Sequence, residues 1–346
     1  MGIEKIFAPE EDPFEVLKEE SKEKILSFDP EKQTFNLHNN SLQTLSSINN
    51  LHLMSSYSTP QDAIDNAPNN WIFVDGIFEL DTVPLTVPSG FQLLGSLASE
   101  QSGGFPDMNT GSMLKSNTSG TNMIELQSNG SSGLPDNSAI IGLTLWGQSD
   151  LDNIIYVPPT FHSGRIWRNF LRFSPVAIDV EGGGIDINNN EINNQDDYGI
   201  TLSDQHCRAI TIRNNYFEGN TKGFVRSYID YDYQGKIGIY NNRFEMNNVS
   251  DHAGTRLFLG DGNEKEFTVE IANNQWNNFN YSQNGLYIGA GTDSYVQGRI
   301  NIHDNIFIGY DTDGNLGGKR AVHINNDIQP ILMFHGNYAE GFAGSQ

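Results

Sequence analysis

One eight-residue pattern recurs from residue 166 to the end of the chain: apolar, any, apolar, any, Asn, Asn, any, bulky apolar. It reads Ile185-Asp-Ile187-Asn-Asn189-Asn190-Glu-Ile192, then Ile210-Thr-Ile212-Arg-Asn214-Asn215-Tyr-Phe217, then Ile237-Gly-Ile239-Tyr-Asn241-Asn242-Arg-Phe244. Two more copies are Val269-Glu-Ile271-Ala-Asn273-Asn274-Gln-Trp276 and Ile300-Asn-Ile302-His-Asp304-Asn305-Ile-Phe307. Degenerate copies flank them, Ile166-Trp-Arg168-Asn169-Phe-Leu171 and Leu332-Met-Phe334-His-Gly336-Asn337-Tyr-Ala339. The second asparagines, Asn169, Asn190, Asn215, Asn242, Asn274, Asn305 and Asn337, lie 21, 25, 27, 32, 31 and 32 residues apart. A repeat of that length, with one strand-turn-strand signature per copy, is the mark of a β-solenoid.

Alternation of apolar and polar residues turns one face of each short strand inward. Asparagine tolerates left-handed backbone and bonds through its side chain, so it suits the sharp turn between two strands. Stacked copies can then link asparagine to asparagine along the axis. The bulky residue two places later turns inward and stacks on its counterparts. A further strand follows each copy: Gly199–Leu202, Gly223–Val225, Arg256–Leu259, Gly285–Ile288 and Ala321–Ile324. The expected fold is all-β, a right-handed parallel β-helix of about ten coils, with a short N-terminal helical leader.

These repeats resemble the pectin-lyase-like superfamily, whose members include pectate lyases, polygalacturonases, epimerases and phage tailspikes. The resemblance spans roughly residues 57–340. Ser58-Thr59-Pro60-Gln61-Asp62-Ala63-Ile64-Asp65 resembles the short entry helix of that superfamily, with Thr59 as N-cap and Pro60 in the first turn. Such a helix would cover the first rung, which is otherwise a bare strand edge. Residues 71–80 and 85–95 look like the first two coils, and 96–137, rich in Gly, Ser and Asn, like early coils with long loops. The likeness implies a fold and says little about chemistry.

Composition narrows the partners. Asp and Glu number 43 against 20 Lys and Arg, a net charge of −23. That disfavours nucleic-acid backbone and anionic membrane surfaces, both of which attract a basic face. No run reaches the roughly 20 apolar residues of a membrane helix. The first residues lack the basic and apolar regions of a signal peptide. The single cysteine, Cys207, excludes an intrachain disulfide.

Residues 1–50 form a polar leader, and 51–346 the β-helix. Asp12-Pro13-Phe14-Glu15 opens an expected helix to about Leu26, whose apolar stripe of Leu17, Ile25 and Phe28 is thin and needs a partner surface. The leader reads as an anchor or assembly segment.

Candidate chemistry lies after the further strand of successive coils, where Asp204, Asp230 with Asp232, Asp261, Asp293 and Asp327 would form an acidic column if registers match. Asp204, Asp230 and Asp261 are the candidate acid, base or nucleophile, by analogy with the carboxylates of tailspikes. The same column could bind Ca²⁺, as oxygen ligands do in pectate lyases; no other cofactor or metal is indicated. Tyr228, Tyr231 and Tyr233 offer faces for stacking on sugars, and Arg226 and Arg256 could pair with those acids or with an acidic glycan. Asn194-Gln195-Asp196-Asp197 matches a polygalacturonase motif, but that family's Gly-His-Gly and Arg-Ile-Lys are absent, so it reads as an ordinary turn.

Three functions compete. The first is a virion surface protein of tailspike or capsid-spike type, expected to be a homotrimer as such spikes commonly are, that recognises a host-surface glycan and could cleave it. The second is a secreted polysaccharide lyase, glycoside hydrolase or epimerase. The third is a non-catalytic structural or adhesive β-helix. All three place the protein on a virion surface or outside the cell, facing a polysaccharide.

Overall fold

A computed structural model describes residues 26–29, 34–37, 52–67, 70–96, 100–101, 105–106, 111–130, 135–203, 206–229, 235–245, 253–259, 267–277, 284–289, 298–309, 320–325 and 331–342. Three long parallel sheets of 11, 10 and 9 strands run the length of the molecule, and each coil gives one strand to each. The chain is a parallel β-helix. Right-handed winding is the hand that parallel crossovers adopt almost without exception.

One coil shows the plan. Gly183–Asn188 lies in the first sheet, Glu191–Asn193 in the second and Tyr198–Leu202 in the third. The next coil repeats it with Ile210–Arg213, Tyr216–Glu218 and Gly223–Ile229. Ile187 pairs with Ile212, Ile192 with Phe217 and Ile200 with Val225, so like residues stack along the axis. The early segments differ slightly from expectation: residues 71–95 make one full coil and the first strand of the next, not two coils.

The asparagine pair divides its labour. The first member takes the left-handed conformation, at Asn189, Asn214, Asn241, Asn273 and Asp304, with φ of 55–59°. The second carries the ladder. Asn190 Nδ2 donates to Asn215 Oδ1 at 3.0 Å, Asn215 to Asn242 at 3.0 Å, and Asn242 to Asn274 at 2.9 Å. The chain runs on to Asn305 at 3.0 Å and Asn337 at 2.9 Å. Each Oδ1 also accepts a backbone N–H from the preceding coil, as from Asn215 N to Asn242 Oδ1 at 2.9 Å. Each Nδ2 also donates to a backbone carbonyl, as from Asn242 to Ile212. A buried amide with all these partners stabilises; one left unpaired costs about 1–3 kcal/mol.

Inside, Phe217, Phe244, Trp276 and Phe307 form a stack with ring centroids 5.0, 4.9 and 4.6 Å apart. All four are fully buried. At the N-terminal end the helix Pro60–Asn66 is capped by Thr59, whose Oγ1 accepts from Asp62 N at 3.0 Å. Asp62 in turn accepts from the Ser58 N–H and hydroxyl, and these hold its carboxyl below the ordinary range. The helix buries Ala63 and Ile64 against the first rung. Two strands of the leader, Leu26–Asp29 and Thr34–Leu37, pair antiparallel. The expected leader helix starts among residues outside the described set.

Candidate functional site

Strand pairing in the third sheet brings one outward-facing row together. Glu125 pairs with Tyr156, Tyr156 with Asp179, Asp179 with Thr201 and Thr201 with Arg226. The row continues from Arg226 to Arg256, Tyr287 and His323. Each member is half-buried, while its strand neighbours point into the core. Eight coils thus display one polar or aromatic side chain each at strand spacing, about 4.8 Å per step.

The row has two halves. In the first, Tyr156 Oη donates to Glu181, and Thr201 Oγ1 and Ser203 Oγ donate to Asp179. Burial, with Glu181 beside it, pushes the Tyr156 phenol above its ordinary range. In the second half the guanidinium of Arg226 lies over the Tyr198 ring at 5.4 Å. Arg256 lies over Phe258 at 4.5 Å and Tyr287 at 5.7 Å. Tyr287 contacts Phe258 at 5.6 Å and meets His323 edge-on at 5.1 Å. Planar cations held on aromatic faces are pre-oriented donors for carboxylate or sulfate.

Arg226 and Arg256, expected to lie at corresponding places, are register neighbours. Tyr228 belongs to the strand Gly223–Ile229, paired with Phe258, and its side chain is outside the described set. Asp204, Asp230, Asp261, Tyr231 and Tyr233 also lie outside the described residues, as do Asp232, Asp293 and Asp327. Leu202, Ser227 and Leu257 are register partners. Asp204 follows that position by two residues, Asp230 by three and Asp261 by four.

Asn194-Gln195-Asp196-Asp197 is a structural turn. Gln195 is fully buried; its Oε1 accepts from Ser174 N and Oγ at 3.1 and 2.7 Å, and its N–H donates to Asn220 Oδ1 at 3.1 Å. Asp197 Oδ2 pairs with Lys222 Nζ at 2.6 Å. Cys207 is buried, and its thiol donates to Val180 O.

The outer face of the second sheet is bonded within itself. Asn193 donates to Glu191, Tyr216 to Glu218, Arg243 to Glu245 and Gln275 to Asn277, at 2.7, 3.1, 2.7 and 2.8 Å. The first sheet carries a clasp in its last coils. Tyr240 Oη donates to Glu270 at 2.8 Å, His303 Nε2 lies 3.6 Å from Glu270, and His303 Nδ1 lies 2.8 Å from Asp304. The third sheet instead carries a continuous polar and aromatic row across eight coils.

Glu125, Tyr156, Asp179, Thr201, Tyr287 and His323 are the members that residue-by-residue reading missed. Their common signal is a fixed offset before the buried, inward position Leu202, Ser227, Leu257 and Ile288, visible only once loops of unequal length are removed. Among the described residues no group of three or more His, Cys, Asp or Glu is placed to hold a metal ion, and no helix is long and apolar enough to cross a membrane. No family model, curated protein or solved structure matches the chain.

Proposed function

We propose that the protein is a surface-recognition β-helix that binds an acidic glycan along the outer face of the third sheet. The observation that carries this reading is the Arg226–Arg256 pair, on adjacent coils and backed by Tyr198, Phe258 and Tyr287. In a chain of net charge −23, two stacked guanidiniums make a local site for anionic sugar, and the surrounding acid restricts it to a ligand that meets them directly. Hydroxyl and carboxylate groups at Tyr156, Asp179 and Thr201 suit neutral sugar hydroxyls farther along. Three parallel sheets, an asparagine ladder, a core stack and an entry helix support placement in the pectin-lyase-like superfamily.

The test is an array of oligo-uronates, sialylated glycans and neutral glucans, read at low and moderate salt. Retention of acidic members, lost in Arg226→Ala/Arg256→Ala, is the expected result. Each arginine should contribute about 1.5–3 kcal/mol, the range for a hydrogen bond to a charged group, so the double variant should bind at least about a hundredfold more weakly. Equal binding by both proteins would sink the assignment.

The wider setting we propose is a virion spike, a homotrimer joined to its particle through residues 1–50. A soluble acidic solenoid that reads glycans suits that setting. Light scattering on the intact chain and on one lacking residues 1–50 tests it: a trimer lost on truncation is expected, and a stable monomer in both would argue for a free-standing glycan binder or enzyme.

A further inference from the structure

The turn between the second and third sheets holds a residue that breaks its own pattern. Trp146 pairs with Arg172, Arg172 with Asn193, and Asn193 with Glu218. The next residues, Gly147, Phe173, Asn194 and Gly219, therefore share one place in successive coils. Phe173, Asn194 and Gly219 have φ of 59, 55 and 68°. Asparagine and glycine are the residues that conformation favours; a bulky side chain there costs about 1–3 kcal/mol.

Burial does not offset that cost. Phe173 is 37% exposed. Its ring is nevertheless fixed. It sits 4.6 Å from the Trp146 ring, tilted by 54°. The Arg172 guanidinium lies 5.1 Å above Phe173, 5.2 Å above Phe170 and 5.9 Å from Trp146. With its amide oxygen turned toward Arg172, Asn194 accepts from Arg172 Nη2 at 2.5 Å. Every neighbour on the flanking coils, residues 146–150 and 194–197, is in the described set. The result is an exposed aromatic corner with an immobilised planar donor, on the turn that leads through Ser174 and Pro175 into the strand Val176–Val180, which carries Asp179.

We infer that Trp146, Arg172 and Phe173 form a second carbohydrate subsite, a platform on which one pyranose ring of the bound glycan stacks. The inference rests on the glycan reading above and extends it beyond the arginine pair. The three other coils compared above reach the same turn with Gly147, Asn194 and Gly219, so the fold has no need of an aromatic ring here. A residue in a strained conformation whose ring is nevertheless exposed points to use of that exposed face. The alternating C–H face of a pyranose fits a ring such as Phe173 or Trp146, and its hydroxyls can accept from Arg172. A sugar seated there continues toward Tyr156 and Asp179 in the acidic half of the row.

The experiment uses Phe173→Gly, the residue its sibling coil carries at position 219, with Trp146→Phe and Trp167→Phe as fluorescence controls. Thermal unfolding is read beside binding to the same oligosaccharide array. Phe173→Gly should keep or raise Tm, because glycine fits the backbone, while weakening array binding about fivefold to tenfold, the worth of one aromatic contact. Titration with the best-retained oligosaccharide should change tryptophan emission in the intact chain and in Trp167→Phe but not in Trp146→Phe. If the intact chain binds nothing on the array, the glycan reading itself falls. If the intact chain binds and Phe173→Gly binds equally well, only the platform is overturned. If Phe173→Gly loses both stability and binding, the emission decides: a change that persists in Trp146→Phe overturns the platform, and one that vanishes upholds it.

Discussion

The two ends of the β-helix are built from the same kind of rung and meet water differently. At the first, Ala63 and Ile64 of the short helix close the core, with relative exposures of 0 and 3%. At the last, Leu332 and Phe334 are register partners of Ile300 and Ile302, which are fully buried, yet are themselves 46 and 53% exposed. Ile331 and Met333 beside them are 63 and 45% exposed. Among the described residues nothing lies over that strand. Position within the repeat thus selects a side chain, but only the following coil buries it. Stability in such a solenoid is a sum over neighbouring coils, and an end coil has one neighbour.

The largest test of that contrast compares Ile64→Ala with Phe334→Ala. Removing Ile64 strips a sealed rung and should cost about 2–5 kcal/mol, as for other buried aliphatic side chains. Phe334→Ala should fall nearer the roughly 0.5 kcal/mol of surface changes. Urea unfolding midpoints at constant m-value measure both. Equal losses would show that the last rung is covered in solution.

A smaller effect separates the two ends of the asparagine ladder. Asn169 Oδ1 accepts from Leu143 N at 3.0 Å, and its Nδ2 bonds Ile140 O and Asn190 Oδ1 at 2.9 and 3.1 Å, all in buried surroundings. Asn169→Ala leaves these groups unpaired and should cost about 1–3 kcal/mol. Asn337→Ala removes the acceptor for Asn305 N and Nδ2, but the half-buried site lies at the open rung, where water can replace it, so its loss should be the smaller. Unfolding curves for the two variants decide the order; a larger loss at Asn337 would break the comparison.

The interior was legible because repetition averages over coils. Seven asparagines at one place in the pattern reveal the ladder, and Phe217, Phe244, Trp276 and Phe307 reveal the stack. Thr59 and Pro60 marked the entry helix by local chemistry alone. The second turn is legible in Asn194-Gln195-Asp196-Asp197, but its bonding relay is not, because Ser174, Gln195 and Asn220 are three different types with one role. The outward row escaped for another reason: its members share nothing but register, and unequal loops hide register in the sequence. Arg226 and Arg256 were found because both happen to be arginine. Phe173 carries no sequence signal at all, since its oddity is a backbone angle.

The smallest effect concerns the clasp beside the open end. His303 lies between Asp304, in its own turn, and Glu270, one coil back, which also accepts from Tyr240 and pairs with Lys236 at 3.4 Å. Its ring stacks on His335 of the last strand at 5.0 Å. The Asp304 carboxylate, followed by Glu270, raises the His303 pKa above its ordinary value, against a lesser opposing effect of burial. A raised folded-state pKa means that the proton binds more tightly when folded. The stabilisation is therefore complete below the unfolded pKa, about 6.5 for histidine, and is lost as pH rises through the higher folded value. Amide exchange in Ile331–His335 should accordingly be slower, after correction for intrinsic rates, at pH 5.5 than at pH 8, while exchange at the capped end in Trp71–Val74 shows no such difference. His303→Gln should flatten the dependence. A protected last strand at both pH values would mean that cover from elsewhere, and not the clasp, holds the open end.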